Sequence, residues 1–270
     1  MTTDFIAIGD GKIAYRVMGN GQKLMLAFHG FDEDSEKFMV VEPSLGKEYT
    51  IIAFDLPFHG NTVWNEHFLL TPNHLKKLAN EIMLRFKKER FSAMGYSLGG
   101  KIVMSLIMQA ASKIDDVILI APDGIKNNVW YNISTYPAFG RALFRLFIDF
   151  PYPFMLLLRL LNLLKIINDG TMKIVKLRGE TKAKRLKVYN TWLCLRELEE
   201  NMNLVKKAIN TYAIKVYLIF GKYDPVIKPE LGQSFSKGLD NCKLIVLDKG
   251  HNLMKDYLNE TFYNFLKSDS

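Results

Sequence analysis

The sequence predicts an α/β protein in which a mostly parallel central sheet is flanked by helices and interrupted by a helical insertion. Short apolar runs of the buried-strand type alternate with stretches of helical periodicity before residue 125 and again after residue 210. Such alternation is typical of βαβ units, whose strands run parallel. The 86 residues between show no strand patterning. We therefore expect a body formed by residues 1–124 and 211–270, and an all-helical insertion over residues 125–210.

Each element of the body has its own local signal. Residues 6–19 place two short apolar runs on either side of the pair Asp10-Gly11, which is typical of a hairpin that turns there. The remaining elements follow from apolar runs and from helical spacing. Strands are predicted over residues 23–30, 49–56, 91–97, 115–123, 213–224 and 242–248, and helices over residues 73–89, 98–112, 228–238 and 253–267.

The composition is that of a globular protein and excludes several other classes. Of 270 residues, 49% are hydrophobic and 24% are charged, which is too apolar for a disordered chain. Two cysteines, Cys194 and Cys242, cannot form a disulfide framework and fit a reducing compartment. The first residues lack the pattern of a signal peptide, so we expect a cytoplasmic location. Residues 139–167 are leucine-rich, but five charges and two prolines interrupt them, so we expect a short apolar helix and no membrane span.

Basic residues are concentrated in the insertion. Residues 125–210 hold 15 Lys and Arg against 6 Asp and Glu, a net charge of +9, whereas the remainder of the chain has a net charge of −1. This asymmetry suits an anionic ligand, an acidic partner or a membrane surface. A solvated basic face on surface helices explains it equally well, so both interpretations stay open. One cluster comprises Lys182, Lys184, Arg185 and Lys187.

A candidate nucleophile lies where a predicted strand passes into a predicted helix. The run Gly95-Tyr96-Ser97-Leu98-Gly99 matches the G-x-S-x-G nucleophile elbow. That turn is sharp enough to strain the serine backbone, and its glycines let neighbouring backbone approach closely. A serine that only caps the helix would give the same local pattern. The strand–serine–helix context favours a nucleophile at Ser97.

A serine nucleophile needs a base, and the base needs an orienting carboxylate. In the architecture of the elbow the acid and then the base follow the serine along the chain. Of five histidines only His251 follows Ser97, so it is the predicted base. Two aspartates follow strands on that side, Asp224 and Asp123, and we favour Asp224 over Asp123.

An oxyanion hole needs two backbone N–H donors that point at the developing charge. One predicted donor is the amide of Leu98, directly after the nucleophile. The other is the amide of Phe31, in the His29-Gly30-Phe31 loop that follows a predicted strand. We interpret His29 as a hydrogen-bonded structural residue with no part in proton transfer.

These motifs together resemble the α/β-hydrolase superfamily along nearly the whole chain, most closely its small cytoplasmic esterases and meta-cleavage-product hydrolases. Five sequence motifs occur in the family's order: His29-Gly30-Phe31, residues 55–60, residues 95–100, Asp224 and Gly250-His251. The second motif usually reads D-x-P-G-H-G, and Phe58 replaces its first glycine. Haloalkane dehalogenases and epoxide hydrolases use an aspartate nucleophile, and most carry a proline where Asp32 stands, so the resemblance excludes them.

The resemblance implies a serine hydrolase that cleaves a carboxylic ester or thioester through an acyl-enzyme on Ser97, with Asp224 and His251 completing a triad. It implies no cofactor and no metal, and it makes residues 125–210 a helical cap over the pocket. The expected partner is a small-molecule ester, anionic or carried by an acidic protein, and no nucleic acid. The alternatives are a carbon–carbon bond hydrolase with the same triad, a non-catalytic binding protein, and a module that docks on a membrane or protein through the insertion.

Overall fold

The computed structural model describes residues 2–126, 129–167 and 169–268, and its strands form one eight-stranded sheet. The strands are β1 (Thr3–Ile8), β2 (Gly11–Met18), β3 (Lys23–Phe28), β4 (Tyr49–Phe54), β5 (Phe91–Tyr96), β6 (Ile114–Ile120), β7 (Lys215–Gly221) and β8 (Cys242–Leu247). The helices are α1 (Glu42–Leu45), α2 (Pro72–Arg85), α3 (Leu98–Ala110), α4 (Val129–Thr135), α5 (Ala138–Asp149), α6 (Pro151–Leu163), α7 (Asp169–Gly179), α8 (Lys182–Cys194), α9 (Met202–Thr211), α10 (Pro229–Ser236) and α11 (Leu258–Ser268).

The strand order across the sheet is β1-β2-β4-β3-β5-β6-β7-β8. The pairs β1–β2 and β2–β4 are antiparallel, and every later pair is parallel. The predicted mostly parallel sheet flanked by helices is therefore confirmed. Because β3 to β8 share one direction, their carboxyl ends meet at a single edge, and the loops that leave them converge there.

Burial explains why these segments form strands and helices. All six residues of β5 are buried, as expected for a central strand covered on both faces. Helix α3 packs against β5, β3 and β6, and eleven of its thirteen residues are buried. The residue between β5 and α3, Ser97, consequently lies between two buried elements.

Most element boundaries shift by a few residues from the sequence prediction, and three of these shifts have a clear local reason. The hairpin loop is Gly9-Asp10, one residue earlier than predicted, because Ile8 pairs with Gly11 and Gly9 takes a φ of +55°. Helix α2 ends at Arg85, since Lys87 is left-handed with a φ of +55°. Helix α11 begins only at Leu258, because the preceding amides of residues 253 and 255 bond two residues back.

The chain divides into two compact units: a sheet unit, Met1–Lys126 with Leu198–Ser270, and a helical unit, Asn127–Glu197. Helices α4 to α8 belong to the helical unit. The predicted insertion ran to residue 210, whereas the helical unit ends at Glu197. The difference arises because α9 packs on α3 and buries Val205 and Ile209. That the insertion acts as a cap stays a prediction.

The predicted basic cluster on α8 is largely engaged within the helical unit. Arg185 is buried and donates to the carbonyl oxygens of Ile148 and Gly179, at 2.6 to 3.0 Å. Lys182 lies 2.6 Å from the Asp149 carboxylate, and Lys184 lies 2.5 Å from a carboxylate oxygen of Glu180. Arg185 is thus a structural residue of this unit.

The leucine-rich segment forms two helices with a sharp bend between them. Among the described helices, none alone has the length and apolarity to cross a membrane. Helices α5 and α6 meet that criterion only as a pair, and they are bent by 105°. Pro151 at the first position of α6 fits the break, since proline cannot continue a preceding helix.

Candidate active site

Ser97 occupies a strained turn between β5 and α3. Its φ of 49° and ψ of −113° lie outside the regions that L-residues ordinarily adopt. The backbone on both sides fixes it: the Ser97 amide donates to the Ile120 carbonyl at 2.9 Å, and the Ser97 carbonyl accepts from the amides of Gly100 and Asp123. A Cβ atom at Gly99 would lie 1.9 Å from the Phe28 carbonyl oxygen, so the approach of α3 to β3 requires that glycine.

The Ser97 side chain does not cap the helix. Ser97 stands at the N-cap position of α3, yet its hydroxyl makes no capping hydrogen bond to the helix. Its Oγ lies instead 3.1 Å from Nε2 of His251, which follows β8. The alternative in which this serine serves as a helix cap is therefore excluded by geometry.

His251 lies between Ser97 and a buried carboxylate. Its Nδ1 is 2.6 Å from Oδ2 of Asp224. The other oxygen of that carboxylate, Oδ1, accepts the amides of Val226 and Ile227 at 2.8 and 3.0 Å. The Asp224 side chain is fully buried, whereas that of His251 is 25% exposed. The carboxylate is thereby fixed with one oxygen directed at the ring, and the ring keeps access to solvent.

The structure separates the two candidate acids. Asp123 follows β6, and its Oδ1 accepts the amide of Gly124 in its own turn, at 2.9 Å. Its amide donates to the Ser97 carbonyl, so Asp123 braces the elbow through its backbone. The carboxylate beside His251 belongs to Asp224, the residue favoured from the sequence.

Tyr96 was missed by the sequence reasoning, which treated it as the variable position of the motif. Its Oη donates to the His251 carbonyl oxygen at 3.0 Å, and the two rings lie 5.9 Å apart. Burial raises the pKa of Tyr96 well above its ordinary value, so the phenol stays protonated and remains a donor. The residue before the nucleophile therefore fastens the loop that carries the histidine.

Two buried histidines hold the loops that surround the elbow. The Leu56 amide donates to Nε2 of His29 and the Asp32 amide donates to Nε2 of His59, each at 3.0 Å. Since Nε2 accepts in both rings, the proton sits on Nδ1, which lies within reach of a nearby carbonyl oxygen in each case. This geometry agrees with a structural part for His29.

Phe31 lies in the loop after β3, and Leu98 is the first residue of α3. The Phe31 ring packs edge-on against His59, with 5.3 Å between ring centroids. The amides on either side of Phe31 are engaged, that of Gly30 with the Glu33 carboxylate and that of Asp32 with His59. The Leu98 amide is one of the helix N-terminal donors that have no acceptor within the helix. The assignment of both amides to an oxyanion hole stays a prediction.

Phe58 takes the backbone conformation that favours glycine. Its φ is 67°, so a phenylalanine adopts the left-handed region where the family pattern has glycine. The neighbouring Asp55 carboxylate accepts the amides of Ser35 and Asn61, which holds the loop in place. The departure from the pattern thus changes the side chain at this position and keeps the turn.

Comparison with known proteins decides the family. A model of the α/β-hydrolase fold family matches residues 23–256. The chain belongs to the α/β-hydrolase fold family. It is 25% identical over 265 residues to an uncharacterized hydrolase of Bacillus subtilis, YugF, and the match covers 92% of this chain and 91% of that protein. The resemblance inferred from the motifs is confirmed.

Solved structures share this fold at low identity. A thermophilic esterase from Thermogutta terrifontis superposes with a TM-score of 0.70 and 16% identity, and the match covers 99% of each chain. A meta-cleavage product hydrolase from Pseudomonas fluorescens IP01 gives a TM-score of 0.64 and 17% identity, over 99% of this chain and 98% of that one. Likeness at these identities establishes the common fold, and the chemistry has to be argued from the site.

Proposed function

We propose that this protein is a serine hydrolase that cleaves a carboxylic ester or thioester through an acyl-enzyme on Ser97. The observation that carries the proposal is the array of contacts from Ser97 Oγ through the His251 ring to the Asp224 carboxylate, at 3.1 and 2.6 Å. A strained, half-buried serine beside a partly exposed imidazole is the arrangement that nucleophilic catalysis requires.

The first step is attack on the carbonyl carbon. Because the Asp224 carboxylate accepts the hydrogen on Nδ1, Nε2 is left as the acceptor and takes the Ser97 hydroxyl proton as the Oγ–carbon bond forms. The carbonyl oxygen becomes an oxyanion, which we assign to the amides of Phe31 and Leu98. The buried Asp224 then stabilises the imidazolium. Collapse of the adduct expels the alcohol or thiol, which receives the proton from His251.

The second step returns the enzyme to its starting state. Water donates a proton to Nε2 of His251 and attacks the acyl carbon, and the new tetrahedral adduct releases the acid and restores the Ser97 hydroxyl. Every proton is carried by His251, so the mechanism uses no cofactor and no metal. The proposal also gives a use for the strained backbone of Ser97. That conformation keeps Oγ out of the helix-capping position and beside Nε2 of His251.

An assay of matched substrates tests the reaction class. Short-chain p-nitrophenyl esters, the corresponding thioesters and a vinylogous 1,5-diketone dienoate are offered to the same preparation. We expect turnover of the esters or thioesters, with a burst of p-nitrophenol when deacylation is slow. Turnover confined to the dienoate would favour carbon–carbon bond hydrolysis by the same residues. Turnover of none, with folded protein, would favour the non-catalytic binding protein.

The cytoplasmic location and the anionic or protein-carried substrate stay predictions. The substrate prediction is tested by comparing kcat/KM for a neutral and an anionic ester as salt rises. If the basic residues attract the substrate, kcat/KM should fall with added salt for the anionic ester only, because salt screens that attraction. Screening is already strong at about 0.15 M ionic strength. Equal responses would leave the positive charge without a part in substrate capture.

A further inference from the structure

One face of helix α6 is both apolar and exposed. Four large side chains spaced four, four and three residues apart share one face and are 52–86% exposed: Tyr152, Leu156, Leu160 and Leu163. No residue of α6 is fully buried, and its other face contacts α5 through Phe154, whose ring lies 5.5 Å from that of Phe147. A surface helix ordinarily turns its apolar face inward and its polar face to water. Helix α6 departs from this pattern, because its less exposed face is apolar too and its exposed face carries large apolar side chains.

Helix α5 repeats the feature. Phe139, Leu143 and Leu146, with Phe150 directly after the helix, recur at helical spacing and are 49–69% exposed. These four residues and the four of α6 are called the apolar stripes below. By contrast, α2 of the sheet unit exposes one large apolar side chain, Leu84. Contiguous exposed apolar surface of this kind marks an interaction site, whereas single exposed residues need no explanation.

The net charge of the helical unit indicates which kind of partner the apolar stripes contact. The helical unit holds 12 Lys and Arg against 4 Asp and Glu, a net charge of +8, and the other 199 residues hold 24 of each. Within residues 138–167 the charges are Arg141, Arg145, Arg159 and Lys165 against Asp149 alone. Arg159 and Lys165 are exposed and lie beside or just after the apolar stripe of α6. The excess charge of the whole protein therefore accompanies its exposed apolar surface.

Two partners would suit positive charge, and the apolar residues distinguish them. An acidic protein is recognised by charge at a wet, polar surface and gives no reason to expose eight large apolar side chains. An anionic bilayer offers phosphate and carboxylate groups above an acyl layer, and so accommodates both features at once. Leucine and phenylalanine on one face with Arg and Lys at its margin is the composition of helices that lie in the membrane interface.

We infer that α5 and α6 form an interfacial docking surface through which this protein binds an anionic phospholipid bilayer. The apolar stripes enter the boundary between headgroups and acyl chains, and Arg159 and Lys165 contact lipid phosphates. This interaction does not depend on the proposed hydrolase activity.

Flotation of the full chain with vesicles tests the inference. Wild-type protein is mixed with vesicles of phosphatidylcholine alone or of phosphatidylcholine with phosphatidylserine. We expect binding to the anionic vesicles that exceeds binding to the neutral ones by about ten-fold and weakens with salt. Wild-type protein that floats with neither kind of vesicle overturns the inference.

Matched variants assign the binding to the stripes. The triple variant Leu156→Ser, Leu160→Ser and Leu163→Ser should lose most vesicle binding. The control Val63→Ser, Leu84→Ser and Leu204→Ser removes apolar side chains of similar exposure from the sheet unit and should bind as wild type. Likewise, Arg159→Gln with Lys165→Gln should reduce the preference for anionic lipid, whereas Lys12→Gln with Lys47→Gln should not. Equal losses in test and control variants overturn the assignment.

A tryptophan substitution keeps the surface apolar, so it tests the inference even if the serine variants misfold. In Leu160→Trp, brominated acyl chains should quench the new tryptophan when anionic vesicles are added, and in Leu84→Trp they should not. Absence of quenching at residue 160 overturns the inference. So does a dimer in light scattering that the triple serine variant dissociates, if no vesicle binding accompanies it. Binding to an acidic carrier protein without vesicle binding overturns it as well.

Discussion

Strand β5 contains Ser92 near its amino end and is followed directly by Ser97, and the two serines belong to clusters of different character. Near the amino end, Ser92 Oγ donates to the Asp116 carboxylate at 2.8 Å, and Tyr49 Oη lies 3.3 Å from the same carboxylate. Just past the carboxyl end, Ser97 meets His251 and, through it, Asp224. Both clusters combine a hydroxyl, a carboxylate and an aromatic ring.

The difference lies in the ring and in its access to water. At the amino end the serine donates directly to a carboxylate, and all three side chains are buried. At the carboxyl end a titratable imidazole separates the hydroxyl from the carboxylate and is partly exposed. The first arrangement supplies hydrogen-bond donors to a buried carboxyl group, and the second can pass a proton. We therefore expect the serine beside Asp116 to be no nucleophile, because nucleophilic catalysis needs a base that takes the hydroxyl proton where substrate can reach it.

Among the described residues, non-glycine residues with positive φ are more frequent at the carboxyl edge of the sheet than at the amino edge. After β3, β4, β5 and β6 in turn, the chain carries a non-glycine residue with positive φ: Asp32, Phe58, Ser97 and Ala121. Among the described residues that lead into β5 and β7, Lys87 and Ala213 have this conformation. Strained conformations persist where the surrounding structure enforces them, and they concentrate at functional sites.

The largest expected effect comes from replacing Ser97 and Ser92 by alanine in two separate variants. Ser97→Ala should lower kcat/KM for an ester by about 10³-fold or more while the melting temperature stays unchanged, because only the nucleophile is lost. Ser92→Ala should keep activity and lower the free energy of unfolding by about 1–3 kcal/mol, since the buried Asp116 loses a donor. Ester kinetics and urea denaturation of both variants measure this. Loss of activity in Ser92→Ala, with activity kept in Ser97→Ala, would contradict the roles given to the two serines.

The next effect concerns the two candidate acids at the carboxyl edge of the sheet, Asp224 and Asp123. Asp224→Asn should lower kcat by about 10³-fold or more, because an amide no longer holds Nδ1 of His251 as the donor. Asp123→Asn should be mild, since Asp123 supports the elbow through its backbone amide. Steady-state kinetics of the two variants decide between them, and equal losses would place Asp123 in the proton path.

The buried cluster at the other edge should respond to pH. Burial raises the pKa of Asp116 above its ordinary value, although the hydrogen bond from Ser92 opposes the shift. The native state therefore keeps a proton that the unfolded chain has released, so this residue's contribution to stability declines as pH rises from about 4 to the raised native pKa. Asp116→Asn cannot ionise, and its free energy of unfolding relative to wild type should increase over that range. Urea denaturation from acid to neutral pH measures the difference, which a flat or falling trend would contradict.

The smallest expected effect tests the strained backbone at Phe58, at the carboxyl edge of the sheet. Phe58→Gly and Phe58→Ala both remove the ring, so their difference isolates the left-handed backbone at this position. The glycine variant should be more stable than the alanine variant by about 1 kcal/mol. Thermal unfolding of the pair measures it, and equal stabilities would show that the loop relaxes when the ring is removed.

The sequence allowed prediction of the sheet, of its flanking helices and of the three residues that the structure brings within hydrogen-bond distance. These depend on local signals: apolar runs, helical spacing and an elbow motif with its followers in chain order. The Ser92–Asp116 contact could not be predicted, because it depends on how β5 registers against β6, and that register shifts between Phe91 and Ala93.

Arg185 shows the same limit in the helical unit. In the sequence it stands among lysines and resembles a surface charge, and only the packing of α8 beside α5 buries it against the Ile148 carbonyl. Local composition indicates how much charge a segment carries. Which of those charges face inward depends on tertiary contacts, and the same is true of the apolar side chains that α6 turns outward.

Covalent labelling with a fluorophosphonate tests the central claim most directly. The probe phosphonylates a serine only where a base activates its hydroxyl, and peptide mapping by mass spectrometry then locates the adduct. We expect one adduct, on Ser97, that is absent in Ser97→Ala and unchanged in Ser92→Ala. An adduct on another serine, or none on the folded wild-type protein, would contradict the assignment of Ser97, His251 and Asp224 as a catalytic triad.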